Sequence, residues 1–154
     1  MKVTHRRGGL RLRLDPVEVE ILMTLLGELD ETARSTDNDD PVVARLYPSA
    51  HPDDVDAALA FRELTEAGLR DDRVARIAAC TADLAGGRDL DLTDPTDATR
   101  WIQVLNDLRL ALGTRLGVTE DDGDVDVTDP EQQSRVVYHW LTAVQDTVVT
   151  SLHP

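Results

Sequence analysis

The densest run of chemistry-bearing side chains lies between Arg100 and Leu116, where Arg100, Asn106, Asp107, Arg109 and Arg115 punctuate an apolar, helix-like pattern. Arginine's planar fork makes bidentate contacts with carboxylates, and three arginines within this stretch stand out in an acidic chain. Arg100, Asn106, Arg109 and Arg115 are therefore the candidate partner-binding residues, with Trp101 beneath them as structural support. Asn106, Asp107 and Gly113 are indifferent or poor helix formers, so their presence here asks for a reason. One reason is a polar groove that receives a partner segment. The plainer one is a close helix crossing over Gly113, with Asp107 and Arg109 in surface pairs.

A second cluster opens the chain. Residues 1–14 carry Lys2, Arg6, Arg7, Arg11 and Arg13 without an acid, while the rest holds eleven cations against thirty acids. Arg6, Arg7, Arg11 and Arg13 are candidate contacts for nucleic-acid phosphates. Protection of an edge strand by Arg11 and Arg13 is the favoured alternative. The formal charge of −14 repels phosphate over most of the surface, so the isolated protein is expected to bind random duplex DNA negligibly at physiological salt.

Other chemistry is excluded or weak. Cys80 is the only cysteine, which rules out an intrachain disulfide, a Cys-rich zinc site and a Cys-x-x-Cys pair. It remains a weak redox candidate, and periodicity places it beside Val74, Ile77, Thr81 and Leu84 as a buried, slow thiol. His5, His51, His139 and His153 lack metal-ligand spacing. His139, between Tyr138 and Trp140, is expected near the core in a structural role. The acidic segment 119–128 resembles a calcium loop only superficially. With Gly123 at its sixth position, Val118 takes the place of the first ligand, so a solvated acidic loop is expected. No nucleotide-binding or nucleophile-elbow motif occurs. No catalytic, cofactor or metal residues are assigned, and a non-enzyme is expected.

These residues must be positioned by a single domain, since 154 residues with 41% hydrophobic content supply one core. The fold class expected is mainly α, with about five to six helices and an N-terminal β-hairpin over 1–14 leading into an acidic helical body over 15–154. Period-two alternation through Leu10, Leu12 and Leu14 gives the hairpin one apolar and one cationic face. Asp15-Pro16, with Glu18 completing a capping box, starts a helix running to about Ser35 with Leu22, Leu25, Leu26 and Leu29 inward. Asp-Pro recurs at 40–41, 94–95 and 129–130, each read as a helix start. A short segment is expected at 42–46. A helix opened by His51-Pro52-Asp53-Asp54, with Ala57, Phe61 and Leu64 on one face, should break near Gly68. The next covers 71–84 with Val74, Ile77, Ala78 and Thr81 inward, ended by Gly86-Gly87. A short strand follows at 89–93, then helices over 95–116 and 130–152. The similar starts of the last two helices, DLTDP at 91–95 and DVTDP at 126–130, are a shared capping device. No stretch is apolar enough to span a membrane, and the lone cysteine fits a reducing cytoplasm.

The stretch LDLTDPTDATRWIQVLNDLRLALGTRLGV, together with Leu46-Tyr47-Pro48-Ser49-Ala50 and the terminal helix, resembles a family of small actinobacterial proteins. That family was long catalogued as a domain of unknown function and is now named for the oxidative-stress transcriptional regulator AosR. The resemblance runs from the hairpin to the terminal helix. It implies a cytosolic regulator acting with the transcription machinery, through a sigma factor or RNA polymerase as protein partner; a homodimer is also open. A mechanism based on an intramolecular disulfide has no second cysteine here. The family also resembles proteins encoded near protease-adaptor genes, which makes an interaction adaptor linked to regulated proteolysis the alternative. An uncharacterised enzyme is the contrasting class, to be recognised by convergent polar groups with shifted pKa values in a pocket. A shallow apolar groove with a charged rim would instead mark a binding module.

Overall fold

Alternation at the N-terminus produces the expected hairpin, β1 (Lys2–Arg6) and β2 (Gly9–Arg13), in a computed structural model that describes residues 1–48, 55–117, 128–129 and 132–153. At 55, 58–59 and 61–64 only the backbone is described. The expected helix start at 51–54, the Phe61 and Leu64 face, Pro130 and nearly all of the acidic loop lie outside the described residues. Arg7 and Gly8 form the turn, where Gly8 adopts φ 89°, a conformation that suits a residue without Cβ. Leu10, Leu12 and Leu14 are buried, as the pattern requires.

The hairpin is not the whole sheet. β3 (Asp89–Leu92) pairs antiparallel with β2, giving the order β1-β2-β3. β2 is thus the central strand, which corrects the reading of Arg11 and Arg13 as edge guards. Arg11 lies opposite Asp91, with Nη2 2.9 Å from Oδ2, and Arg13 opposite Asp89 at 3.7 Å. Gly9 permits this pairing, because a Cβ there would sit 2.3 Å from the Leu92 carbonyl oxygen.

Five helices follow among the described residues: α1 (Pro16–Arg34), α2 (Pro41–Leu46), α3 (Val55–Ala85), α4 (Pro95–Leu116) and α5 (Gln133–Leu152). The Asp-Pro starts work locally. Asp40 accepts the Val42 amide and Asp94 the Thr96 amide, both at 2.8 Å, while Glu18 accepts the Asp15 amide at 2.8 Å. The fourth start differs, since α5 begins at Gln133, after the Gln132 amide has bonded the Asp129 carbonyl.

The expected break near Gly68 is absent, and α3 runs through it as one helix of 31 residues. An interior glycine costs about 1 kcal/mol, too little to break a helix whose packing against α1 supplies the opposing free energy. Gly68 is exposed, with nothing crowding it. Further along, Ile77, Cys80 and Leu84 are buried while Ala78 is exposed, so the inward stripe is rotated slightly from the one expected. On α5 the core face is Leu141, Val144 and Val148; His139, two residues before Leu141, is carried to the far side and is exposed rather than near the core. All three strands and every helix contribute to one apolar cluster.

Candidate functional site

The four candidate residues of α4 do not form one patch. Arg100 and Arg109 are nine residues apart, which at about 100° per residue puts them on opposite sides of the helix. Arg100 turns to α3, donating from Nη2 to Asp83 Oδ2 at 3.1 Å and pairing with Asp97 at 2.9 Å. Arg109 turns to α5, donating from Nε to Thr142 Oγ1 at 3.0 Å and from Nη1 to Gln145 Oε1, with its guanidinium 5.7 Å from the centre of the Tyr138 ring. Gln145 in turn donates to the Ile102 carbonyl at 3.2 Å. Arg115 reaches α1, at 3.0 Å from Thr32 Oγ1 and 3.7 Å from Glu28. Asn106 and Arg115 are exposed; Trp101 lies in the core at 1% exposure.

The three poor helix formers divide between packing and surface. A Cβ on Gly113 would stand 3.0 Å from Tyr138 Cε2, so α4 and α5 do cross closely there. Asp107 is buried and accepts from Arg73 Nε at 2.9 Å, a partner on α3 that replaces the expected surface pair. Arg109 likewise bonds inward to α5.

Asp107 belongs to a polar hub that sequence reasoning missed. Arg73 also donates to the Leu46 carbonyl at 3.0 Å, satisfying an orphan acceptor at the end of α2. The Tyr47 ring lies beneath two guanidiniums, Arg70 at 4.6 Å and Arg73 at 4.9 Å, and its hydroxyl donates to the Ala33 carbonyl near the end of α1 at 2.8 Å. Arg70 further donates to the Ser35 carbonyl at 3.2 Å and pairs with Glu66. One signal was available: Arg70 and Arg73 stand three apart on one helix face.

Of the expected phosphate contacts, Arg6 and Arg7 are exposed on and after β1, while Arg11 and Arg13 face carboxylates. Arg11 and Thr93 hydrogen bonds hold the Asp91 carboxyl down at about 2. Cys80 is fully buried; desolvation pushes its thiol up to about 12, against a smaller opposing effect of Arg100. These two groups lie on different elements, Asp91 on β3 and Cys80 on α3. Among the described residues, no group of three His, Cys, Asp or Glu is placed to hold a metal ion, and no helix is long and apolar enough to cross a membrane.

The native protein should consequently react with a thiol reagent at about pH 8 far more slowly than free cysteine, and at the free rate once denatured. Because the folded pKa is raised, the stabilising preference for the protonated thiol is complete below 9.0 and is lost as pH rises toward about 12. A native rate equal to that of free cysteine would show that the helix opens readily at Cys80.

A shallow apolar groove of about 400 Å³ lies between α1 and the α4–α5 pair, with Val17, Ile21, Leu25, Leu112 and Val137 as its apolar walls and Glu20 among its polar members. Val17 is 64% exposed there, large for a valine on a packed helix. A profile described as "Domain of unknown function (DUF2017)" matches residues 1–152. The chain belongs to this family. Three curated relatives of this DUF2017 chain, one from Mycobacterium bovis and two from strains of Mycobacterium tuberculosis, bear the name "Oxidative stress regulator AosR". Each is 32% identical to it over 192 aligned residues, covering 98% of the DUF2017 chain and 86% of the relative. No solved structure matches it.

Proposed function

We propose that the protein is a non-enzymatic, cytoplasmic regulator of the oxidative-stress response that binds a component of the transcription machinery, a sigma factor or RNA polymerase. The observation that carries this reading is the likeness, over nearly the whole chain, to proteins named as oxidative stress regulators. A protein partner suits the chemistry of the surface, which offers an apolar groove beside α1 and the exposed Asn106 and Arg115 on α4. A chain of net charge −14 favours a basic protein over bare DNA. With a single cysteine, and that one buried, the chain cannot form an intrachain disulfide switch.

The test is titration of purified sigma factors and core RNA polymerase with the full chain. Saturable binding to one of them, weakened by Asn106→Ala with Arg115→Ala at unchanged melting temperature, is the expected result. Absence of binding to all of them, with transcription unaltered in their presence, would refute the reading.

A further inference from the structure

We propose that the outer edge of β1 docks an extended segment of another protein in which acidic and apolar residues alternate, bound as a fourth strand of the sheet. This surface is separate from Asn106 and Arg115 of α4, and the inference stands whether or not the partner belongs to the transcription machinery.

The sheet already contains the template for such recognition. β3 reads Asp-Leu-Asp-Leu, and its pairing with β2 sends Leu90 and Leu92 into the core while Asp89 and Asp91 meet Arg13 and Arg11 on the outer face. Residues opposite one another share a face. The register Lys2↔Arg13, Thr4↔Arg11 and Arg6↔Gly9 therefore puts Lys2, Thr4 and Arg6 on the same outer face as those arginines. Val3 and His5, opposite Leu12 and Leu10, take the inner one. β1 thus repeats the arrangement of β2, with cations outward and an apolar residue inward.

What differs is that, among the described residues, β2 has strands on both sides and β1 has one. In an antiparallel strand alternate residues direct N–H and C=O away from the neighbour, so β1 presents main-chain groups along its outer edge that no strand among the described residues takes up. Lys2, Arg6 and Arg7 are exposed and form no ion pair among the described residues, whereas Arg11 and Arg13 do. Between the hairpin and the C-terminal turns of α5 lies a groove of about 970 Å³ that Val3 of β1 helps to line, reaching across to Pro95 at the start of α4, with Leu152 as a further apolar wall. Asp146 on α5 also lines it and disfavours a carboxylate there, although His5 and Arg6 line its hairpin side; the arrangement of β3 on β2, acids outward and leucines inward, is the one an incoming strand would repeat.

The same charges decide against the other occupants. A second copy pairing through its own β1 would set Lys2 and Arg6 against like charges. A nucleic acid would make no use of a free strand edge, and a few cations on a chain of net charge −14 give it little affinity. Basic side chains on an edge repel neutral and basic strands from unintended pairing; against an acidic strand they become the attraction.

The probe is a short capped peptide containing Asp-Leu-Asp-Leu-Asp, followed by fluorescence anisotropy with the full chain. Saturable binding is expected, weakened about tenfold by K2E/R6E, whose melting temperature should match that of the wild type. The peptide N-methylated at alternate amides keeps every side chain yet cannot join a ladder, and should not bind; an isomer with its acids contiguous should bind poorly. The proposal is overturned if the parent peptide fails to bind, if K2E/R6E binds it equally, or if N-methylation has no effect. Self-association abolished by K2E/R6E, without peptide binding, would assign the edge to a second copy. Duplex DNA binding lost in K2E/R6E, again without peptide binding, would assign it to nucleic acid; either result overturns the proposal.

Discussion

Trp101→Ala is expected to lower the unfolding free energy by about 3 to 5 kcal/mol, the range for deleting a large buried aromatic side chain. Trp101 is the largest fully buried side chain among the described residues, so truncation removes dispersion contacts on several sides and leaves a void that rigid neighbours cannot close. The loss is compounded at the indole Nε1, which donates to Asp83 Oδ2 at 2.9 Å. Arg100 shares that oxygen, so Asp83 keeps a partner, and the hydrogen-bond part of the cost is only about 1 kcal/mol. Trp101→Phe separates the two contributions, since it retains most of the apolar volume and gives up the donor. Urea unfolding should show a large drop in midpoint for alanine and a smaller one for phenylalanine. Equal losses would mean that the hydrogen bond, and not the ring, is what matters.

The second large effect is expected at Asp107, where alanine should cost about 3 kcal/mol, by leaving a partly buried guanidinium without its carboxylate. Asp107 is 6% exposed, and Arg73 is held close by the Leu46 carbonyl and the Tyr47 ring, so the cation cannot simply swing into solvent. The charge of Arg73 is disfavoured by desolvation and restored chiefly by Asp107, with Tyr47 contributing. Replacing both partners, Arg73→Met with Asp107→Leu, should recover part of the loss, because apolar groups of similar size carry no desolvation penalty. Recovery will be incomplete, since methionine cannot satisfy the Leu46 carbonyl at the end of α2. A single Asp107→Ala loss under about 1 kcal/mol would indicate that water reaches the pair.

Much of this architecture was legible in advance wherever one element decides its own state. Asp40 and Asp94 cap helices because a carboxylate meets an amide two residues along its own chain, a contact that needs no tertiary partner. Leu10, Leu12 and Leu14 announce a one-sided strand, and Trp101, Leu105 and Leu108 a buried helix face, since side-chain direction follows the backbone period. The close crossing at Gly113 could be named as one of two readings from its type alone, but Tyr138 as its neighbour could not.

What only the tertiary structure decided is where each polar side chain finds its counterpart. Arg11 meets Asp91 across 80 positions, Arg109 meets Gln145 across 36, and Arg73 meets Asp107 across 34. A helical period assigns Arg100, Arg109 and Arg115 to directions around α4, yet it is silent on whether α3, α5, α1 or solvent lies in each direction. For the same reason Arg11 and Arg13 read as an exposed edge until β3 turned out to be their neighbour, and Gly68 read as a break until packing along α3 outweighed its local cost. Composition, caps and periodicity therefore determined most of the elements and, to within a small rotation on α3, their buried faces. Burial of those faces against one another then determined the pairing of charges, because the free energy of each pair depends on two groups whose separation in space no local signal records.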